Sequence, residues 1–367
     1  MSRVTPLEVE LRRMIAAEGP LPVDRYMALC LSHPVHGYYA GQDPFGRTGD
    51  FITAPEISQM FGELIGLWAA ATWRQMGSPS PVLLVELGPG RGTLMADAVR
   101  AMRVAPGFRD AASIHLVETS PVLRARQQDA LVAAGLPLVW HSDVGQLPDG
   151  PLIVVANEFF DALPVSQAAK TADGWHERVV GLDAAGRLAF GMQPSQLPRF
   201  ETLLPAGLRD SATPGDLYEW RSEGIVSELC QRVRSFGGAT LVIDYGHVES
   251  GFGDTLQAVR EHAFVDPLDA PGNSDLTAHV DFDALGAKAF RCGARAHGPV
   301  TQCDFLRRLG IEARVAKLKQ HANVAQAADI DVSFARLIGD GKEAMGTLFK
   351  VMAFAHPELP APPGFDT

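Results

Sequence analysis

The residues with the clearest chemical potential in this sequence form a glycine-rich turn, ELGPGRG, at Glu86–Gly92. The apolar run before it predicts a buried strand, and the segment after it predicts a helix. Gly88, Gly90 and Gly92 let the backbone turn tightly against a ligand, and the next helix offers free N–H groups. A dinucleotide-binding turn has a different glycine spacing, and a phosphate-binding loop needs a lysine that this run lacks. The turn therefore predicts a ligand without phosphate.

Acidic residues follow in order on the neighbouring strands. Glu86 precedes the glycines and suits a cationic ammonium group, whereas it would repel pyrophosphate. Glu118 ends the next strand and can accept hydrogen bonds from both hydroxyls of a ribose, and Asp143 follows the third strand, placed for an adenine amino group. Ligands of open α/β sheets bind at these carboxyl ends, so the pattern predicts S-adenosylmethionine as the cofactor. The alternative is a tight strand–helix connection with Glu118 as a surface cap.

A second polar group follows the fourth strand, in the run NEFFDALP at 157–164. Glu158 and Asp161 are three residues apart and would share a face if this segment were helical. Two carboxylates can bind a guanidinium bidentately and keep a nitrogen lone pair directed at a methyl donor, with Asn157 helping to orient the acceptor. These three are the candidate catalytic residues. The alternative is structural, with Asp161 capping a helix and the two phenylalanines packing.

The elements around these residues alternate between short apolar runs and helical segments. Strands are expected at 82–85, 114–117, 138–140, 152–155 and 240–243, with two later ones near 294–300 and 348–354. Such alternation implies parallel strands joined by right-handed crossovers. We therefore predict an α/β fold, a doubly wound sheet with an N-terminal helical region and an inserted lobe.

Five segments are expected along the chain. They are an N-terminal helical region with a cofactor-covering loop (1–80), the cofactor-binding α/β core (81–164), an insertion (165–238), the remainder of the core with a helical and loop insertion (239–356), and an irregular tail (357–367). Within the first insertion, the turn-forming run DAAGR between two apolar runs predicts a β-hairpin. The stretch 248–281 is rich in loop-forming residues.

Composition and charge narrow the range of partners. The chain has 367 residues, with 32 Lys and Arg against 43 Asp and Glu, giving a formal net charge of −11. No dense Lys/Arg run appears, so the charge argues against a nucleic-acid partner and suits a basic protein segment, although solubility alone explains many acidic proteins.

Several further expectations concern sites and location. No apolar run approaches the roughly 18 residues needed to cross a bilayer, so no membrane insertion is expected. The four cysteines lack Cys-x-x-Cys spacing, and His33 and His36 have no second ligand pair, so no metal site is expected. Glu8 and Glu10 argue against a transit peptide, which makes cytoplasm the expected location.

Six ordered motifs resemble the MidA family of class I methyltransferase-like proteins of mitochondria and bacteria. They are GDFITAPEISQMFGELIGLW (49–68), ELGPGRGTL (86–94), HLVETS (115–120), NEFFDALPV (157–165), IDYGH (243–247) and DLTAHVDF (275–282). The similarity extends over residues 23–352. The resemblance implies a seven-stranded methyltransferase fold and S-adenosylmethionine binding. It also implies a role like that of the family's mitochondrial members, symmetric arginine dimethylation in a core subunit during assembly of respiratory complex I.

Carried over to this chain, the family's cofactor role falls on Gly88, Gly90 and Gly92 together with Glu118 and Asp143. The family's segment at 50–56 is expected to fold over the cofactor as a lid, so that Thr53 and Glu56 face the site.

The main functional hypothesis is therefore a protein arginine methyltransferase whose partner is a protein with an accessible arginine, by resemblance a complex I subunit. A second hypothesis is a non-catalytic assembly factor that uses the fold to dock a partner. A nucleic-acid methyltransferase is disfavoured by the charge and by the absence of prolines at the two positions that directly follow Asn157.

Overall fold

The computed structural model of the chain describes residues 4–41, 53–341 and 344–365. Its N-terminal region contains α1 (Pro6–Glu18), β1 (Leu21–Pro22), α2 (Val23–Ser32), α3 (Tyr38–Gly41), α4 (Ala54–Ile57) and α5 (Gln59–Gln75). The hydroxyl of Thr5 caps α1 by accepting a hydrogen bond from the backbone N–H of Glu8. Ser58 separates α4 from α5, and its hydroxyl caps α5 by accepting a hydrogen bond from the backbone N–H of Met60.

The first half of the central sheet follows directly. It comprises β2 (Val82–Leu87), α6 (Thr93–Ala101), α7 (Pro106–Ala111), β3 (Ala112–Val117), α8 (Pro121–Leu131), β4 (Leu138–His141) and β5 (Leu152–Asn157). All six residues of β2 are buried. A strand with no exposed face is typical of a parallel sheet covered by helices on both sides.

The remaining elements include two further sheets and the end of the central one. They are β6 (Val165–Lys170), β7 (Trp175–Leu182), β8 (Leu188–Gln196), α9 (Ala206–Arg209), β9 (Leu217–Arg221), α10 (Gly224–Phe236), β10 (Gly238–His247), β11 (Gln257–Arg260), β12 (Ala263–Val265), β13 (Asp275–Thr277), β14 (Val280–Asp281), α11 (Phe282–Arg291), β15 (Arg295–Thr301), α12 (Gln302–Arg308), α13 (Ile311–Lys319), α14 (Val324–Ile338) and β16 (Phe349–Ala355).

The central sheet has the strand order β15-β16-β10-β5-β2-β3-β4, and the short β14 pairs with the end of β10. The five strands from β10 to β4 are mutually parallel, whereas β16 runs antiparallel to both neighbours. Leu87 is in register with Val117 and with Ala156. The ends of β2, β3 and β5 therefore meet at one edge, on either side of the point where the strand order reverses.

Two apolar layers confirm the predicted doubly wound fold. Leu84 on β2 belongs to one buried cluster, with residues of α5 and α6, and Val85 belongs to another, with residues of α10 and α11. Burial on both faces fixes the helices against the sheet, so the strand ends are held rigidly.

The inserted lobe is a second sheet, of order β1-β7-β6-β9 with β8 paired to β7. The expected hairpin is β7–β8, and Asp183 holds its turn by accepting hydrogen bonds from the backbone N–H groups of Ala185 and Arg187. The lobe has a small aromatic core of its own, centred on Trp175, Phe200 and Tyr218.

The stretch expected to be loop-rich differs from that expectation. Residues 257–277 form a three-stranded antiparallel sheet, β12-β11-β13. Its strands are only three or four residues long, too short to give a recognisable alternating pattern in the sequence. Ala258 and Leu276 pair across this sheet and are buried with the N-terminal helices, so tertiary contacts stabilise it.

No helix in the described part of the chain is both long and apolar enough to cross a membrane.

Candidate active site

The glycine-rich turn adopts a backbone that ordinary residues rarely take. Gly88, Gly90 and Gly92 have φ values of 59°, 53° and 82°, all left-handed. The N–H of Gly88 donates to the carbonyl of Val117, which ties the turn to the next strand. A Cβ on Gly88 would lie 3.0 Å from Cδ2 of Phe159, so the space above this glycine admits no side chain without a shift.

A small cavity of about 50 Å³ opens beside this turn. Glu86, Asn157 and Thr53 contribute to its lining, along with Gly88 and Gly90. Glu86 is 3% exposed, and within the described residues neither its Oε2 nor Oδ1 of Asn157 has a hydrogen-bond partner. Burial raises the pKa of Glu86 to about 8. Two buried acceptors without donors fit a ligand that brings a cationic N–H group, such as the ammonium of a methionine moiety.

Residues 53–56 close one side of this cavity. The N–H of Ala54 donates to Oε1 of Glu158 at 3.3 Å, and the hydroxyl of Thr93 donates to Oε1 of Glu56 at 2.6 Å. Arg91 of the glycine turn lies 3.8 Å from Glu56. Residues 53–56 thus lie against the site as the lid expectation requires, while residues 50–52 of that expectation fall outside the described residues.

Glu118 lies one residue beyond β3 and is 8% exposed. Its Oε1 accepts a hydrogen bond from the backbone N–H of Ser120 at 2.8 Å, and its Oε2 accepts one from Nε2 of Gln127 at 3.1 Å. Burial raises its pKa, and these two donors oppose the shift. The carboxylate is therefore held in one orientation at the sheet edge.

Gln127 on α8 is a functional candidate that sequence reasoning missed. It is fully buried, and its Nε2 also donates to the carbonyl of Gly90 at 2.8 Å, while Nε1 of Trp140 donates to its Oε1 at 2.9 Å. One side chain thus joins the glycine turn to Glu118. The available signal was a polar residue on the apolar stripe of α8, four residues from both Leu123 and Leu131.

Replacing Gln127 with methionine is expected to weaken S-adenosylhomocysteine binding about tenfold, because the turn and Glu118 lose their shared donor. The value of kcat at saturating cofactor should stay within about threefold, since this residue positions others and touches no reacting atom. Calorimetry and initial rates measure both quantities. The matched control is Gln128→Met on the exposed face of the same helix, and equal losses in the two variants would contradict the role.

Asp143 lines a different cavity from the small one beside the glycine turn. It is exposed and caps a 3₁₀ turn, its Oδ1 accepting a hydrogen bond from the N–H of Gly145 at 2.7 Å. The cavity is about 580 Å³ and is also lined by Val144, Leu163 and Trp220. The N–H of Glu118 donates to the carbonyl of His141, so Asp143 follows Glu118 along the same edge without lining the small cavity.

The candidate catalytic segment after β5 is a turn, so the condition under which Glu158 and Asp161 would share a helical face is not met. Glu158 has a left-handed φ of 50°, which a helix cannot contain. The reason is Asp244 at the end of β10, whose Oδ2 accepts hydrogen bonds from the backbone N–H groups of Phe160 and Asp161, at 3.0 and 3.2 Å. These bonds give the backbone an alternative to helical pairing.

The carboxylates of this segment are nevertheless close enough to affect each other. Burial and the nearby Asp161 carboxylate raise the pKa of Glu158 to about 8, and Nδ2 of Asn157 donates to Oε1 of Glu158 at 3.1 Å. Asp161 is 5% exposed, and no described residue forms a hydrogen bond with its Oδ1. Burial also raises the pKa of Asp161 and that of the fully buried Asp244, while the charge of Arg221 opposes both shifts. Three buried carboxylates, one of them with an oxygen that no described residue binds, fit a cationic acceptor.

Asp244 is a second residue that the sequence prediction did not assign to the site. Its signal was the polar run IDYGH at the end of a predicted central strand. Tyr39 from α3 also reaches this region, since its hydroxyl donates to Oδ1 of Asp275 at 3.1 Å. The N-terminal helices therefore form part of the wall around the acids.

Glu86 makes the stability of the ligand-free protein depend on pH. Its pKa is about 8 when folded against an ordinary 4.5, so between these values the folded state holds a proton that the unfolded chain lacks. This contribution is fully present below about pH 4.5 and is lost as pH rises through about 8. The melting temperature of Glu86→Gln is therefore expected to fall less between about pH 6 and about pH 9 than that of the unsubstituted protein. Parallel calorimetric curves for the two proteins would contradict this assignment.

Comparison with known proteins shows similarity to a family model and to a solved structure. Residues 64–300 match the family model described as "Putative S-adenosyl-L-methionine-dependent methyltransferase". A protein from Burkholderia thailandensis, solved with bound S-adenosyl-homocysteine, superimposes with a TM-score of 0.81 and 31% identity over 98% of this chain and 92% of that chain.

Curated relatives are similar over most of this chain and over most of their own length. One from Drosophila melanogaster, named protein arginine methyltransferase NDUFAF7 homolog, mitochondrial, is 39% identical over 95% of this chain and 84% of its own length. The Homo sapiens protein arginine methyltransferase NDUFAF7, mitochondrial, is 36% identical over 87% of this chain and 77% of its own length.

These relatives overturn the predicted cytoplasmic location, because their names place them in mitochondria. That prediction relied on Glu8 and Glu10, and both residues lie in α1. Acidic residues near a helix N-terminus stabilise the helix, so they carry no information about targeting.

Proposed function

Because the chain belongs to the family of S-adenosyl-L-methionine-dependent methyltransferases whose model it matches, and so resembles the MidA family as the motifs indicated, we propose that it methylates arginine in a protein substrate. Its cofactor is S-adenosylmethionine, and its fold is that of the class I enzymes. The arginine specificity, the acceptor and the roles of individual residues form the proposal.

The cofactor-binding role is assigned to the edge formed by β2, β3 and β4. Gly88, Gly90 and Gly92 allow the methionine moiety to lie against the backbone, and Glu86 pairs with its ammonium group. Glu118 accepts hydrogen bonds from the ribose hydroxyls, and Asp143 lies near the adenine. When bound, the cofactor supplies an electrophilic methyl group on a sulfonium.

The acceptor role is assigned to the turn after β5. Glu158 and Asp161 bind the guanidinium, and Asn157 orients Glu158 through the hydrogen bond between their side chains. The reaction forms an N–CH₃ bond and breaks the S–CH₃ bond, and the guanidinium nitrogen must release one proton. Glu158 in its ionised form is suited to accept it, because a carboxylate whose pKa is raised to about 8 is a stronger base than an ordinary glutamate.

The observation that carries this proposal is the location of Glu158. It lines the cavity at the glycine turn and is also coupled electrostatically to Asp161. A single carboxylate can therefore contact both the methyl donor and a cationic acceptor, and in-line transfer depends on that alignment. By family resemblance, the proposed acceptor is a subunit of respiratory complex I.

The test is incubation of the protein with methyl-labelled S-adenosylmethionine and fractionated cell extract. We expect label in a protein band that yields dimethylarginine on hydrolysis and mass spectrometry. Saturable cofactor binding without transfer to any protein would favour the docking function, and label in the nucleic-acid fraction would favour a nucleic-acid methyltransferase.

A further inference from the structure

A groove of about 710 Å³ separates the inserted lobe from the central domain. Leu203, Tyr218 and Trp220 line it on the lobe side, and Asp281, Asp283 and Leu285 line it on the side of α11. Its volume lies within the usual range for ligand sites. One wall is aromatic, and the other carries Asp281 and Asp283 together with Lys288 and Arg291.

Asp281 and Asp283, two of the four acids that line this groove, have no cationic partner among the described residues. Asp281 caps α11 by accepting from the N–H of Ala284, and Ser250 donates its hydroxyl to Asp281 at 2.7 Å and to Asp283 at 3.3 Å. No lysine or arginine in the described residues forms a salt bridge with either acid. The basic residues of α11 do not neutralise these acids, since Lys288 and Arg291 both form salt bridges with Glu223.

Tyr218 faces these acids from the lobe. Its side chain is 5% exposed, and burial together with the nearby charges of Asp281 and Asp283 raises its pKa to about 12. Its ring stacks with that of Trp220, with centroids 6.4 Å apart and planes at 14°. An aromatic face beside two carboxylates that form no salt bridge with a described residue favours a cationic side chain as ligand.

The groove adjoins the candidate acceptor site. Arg221 lines it and donates to the carbonyls of Ala278, His279 and Leu163, at 2.6, 2.7 and 3.2 Å, so it fixes the wall between groove and site. The His279 ring also lines the groove and lies edge-on to that of Tyr245, with centroids 5.6 Å apart. Tyr245 directly follows Asp244, which holds the turn bearing Glu158.

We propose that this groove binds an extended basic segment of the methyl-accepting protein, with a second lysine or arginine of that segment lying between Asp281, Asp283 and Tyr218. The inference rests on the proposed protein arginine methyltransferase function. It adds that acceptors carry a basic residue close to the methylated arginine.

The test uses two fluorescent peptides of equal length with one central arginine, flanked by lysines in one and by glutamines in the other. Anisotropy with the full chain and S-adenosylhomocysteine should show the lysine-flanked peptide binding about fivefold to tenfold more tightly, since each exposed charge pair contributes modestly. Asp281→Asn with Asp283→Asn should remove this preference, and asparagine keeps the helix cap. Unchanged S-adenosylhomocysteine affinity verifies that this double variant is folded.

The matched control is Asp110→Asn with Asp129→Asn, which removes two exposed acids outside the groove. Any of three results would overturn the proposal. The unsubstituted protein could show no preference, the groove variant could retain the preference, or the control variant could lose it equally. Groove binding without methyl transfer to the peptide would contradict only the enzymatic proposal. Methyl transfer with unchanged KM in the groove variant would contradict only the groove.

Discussion

Glutamine in place of Glu158 should lower kcat for methyl transfer about 100-fold or more, because the acceptor nitrogen loses both its charged partner and its proton acceptor. S-adenosylhomocysteine affinity should change by less than about twofold, since glutamine can still accept the hydrogen bond from Ala54. Single-turnover rates and calorimetry on the same preparation measure the two effects.

The pH profile provides an independent test of the same residue. Because the pKa of Glu158 is about 8 in the free protein, kcat/KM should increase as pH rises toward about 8 and then level off. The glutamine variant should lack this limb. The exposed Glu249→Gln serves as control and should keep both rate and profile. A fully active Glu158→Gln protein would remove this residue from the mechanism.

Alanine at Glu118 is expected to weaken S-adenosylhomocysteine binding by about tenfold to 100-fold, because a charged acceptor for the ribose hydroxyls is lost from a buried position. Calorimetry should show the change in Kd. The melting temperature without ligand should change little, since the cost of burying the carboxylate offsets the hydrogen bonds that it accepts in the folded state.

A 2′-deoxy analogue of S-adenosylhomocysteine makes this a double-mutant cycle. If Glu118 contacts that hydroxyl, the analogue should bind the unsubstituted protein less tightly than the parent ligand, and the variant should bind both almost equally. Additive losses would assign the hydroxyl to another residue.

The central sheet could be predicted from the sequence because its information is local. Each buried strand is a short apolar run, and the residues that end it are its immediate neighbours in the chain, as Glu118 is for β3. Parallel strands end at the same edge, so Glu86, Glu118 and Asn157 could be assigned to one region from the sequence alone, and the register of the strands agrees with this.

The conformation of the segment after β5 could not be predicted in this way. A spacing of three would place Glu158 and Asp161 on one face of a helix, but Asp244, more than 80 residues later, accepts hydrogen bonds from two backbone N–H groups of this segment and holds a turn. A hydrogen-bond partner so distant in sequence leaves no local pattern. Gln127 was missed for the same reason, because its partners Gly90, Glu118 and Trp140 come together only when α8 packs on the sheet.

The sequence by itself determined the doubly wound fold, the cofactor class and the family, since periodicity, glycine spacing and strand-end residues are read along the chain. Only the tertiary structure decided which buried acceptors lack partners, how Gln127 and Asp244 hold the site, and that the lobe faces Asp281 and Asp283 across a groove. Burial and pairing depend on contacts between residues far apart in the chain, and packing of the two layers and the lobe creates those contacts.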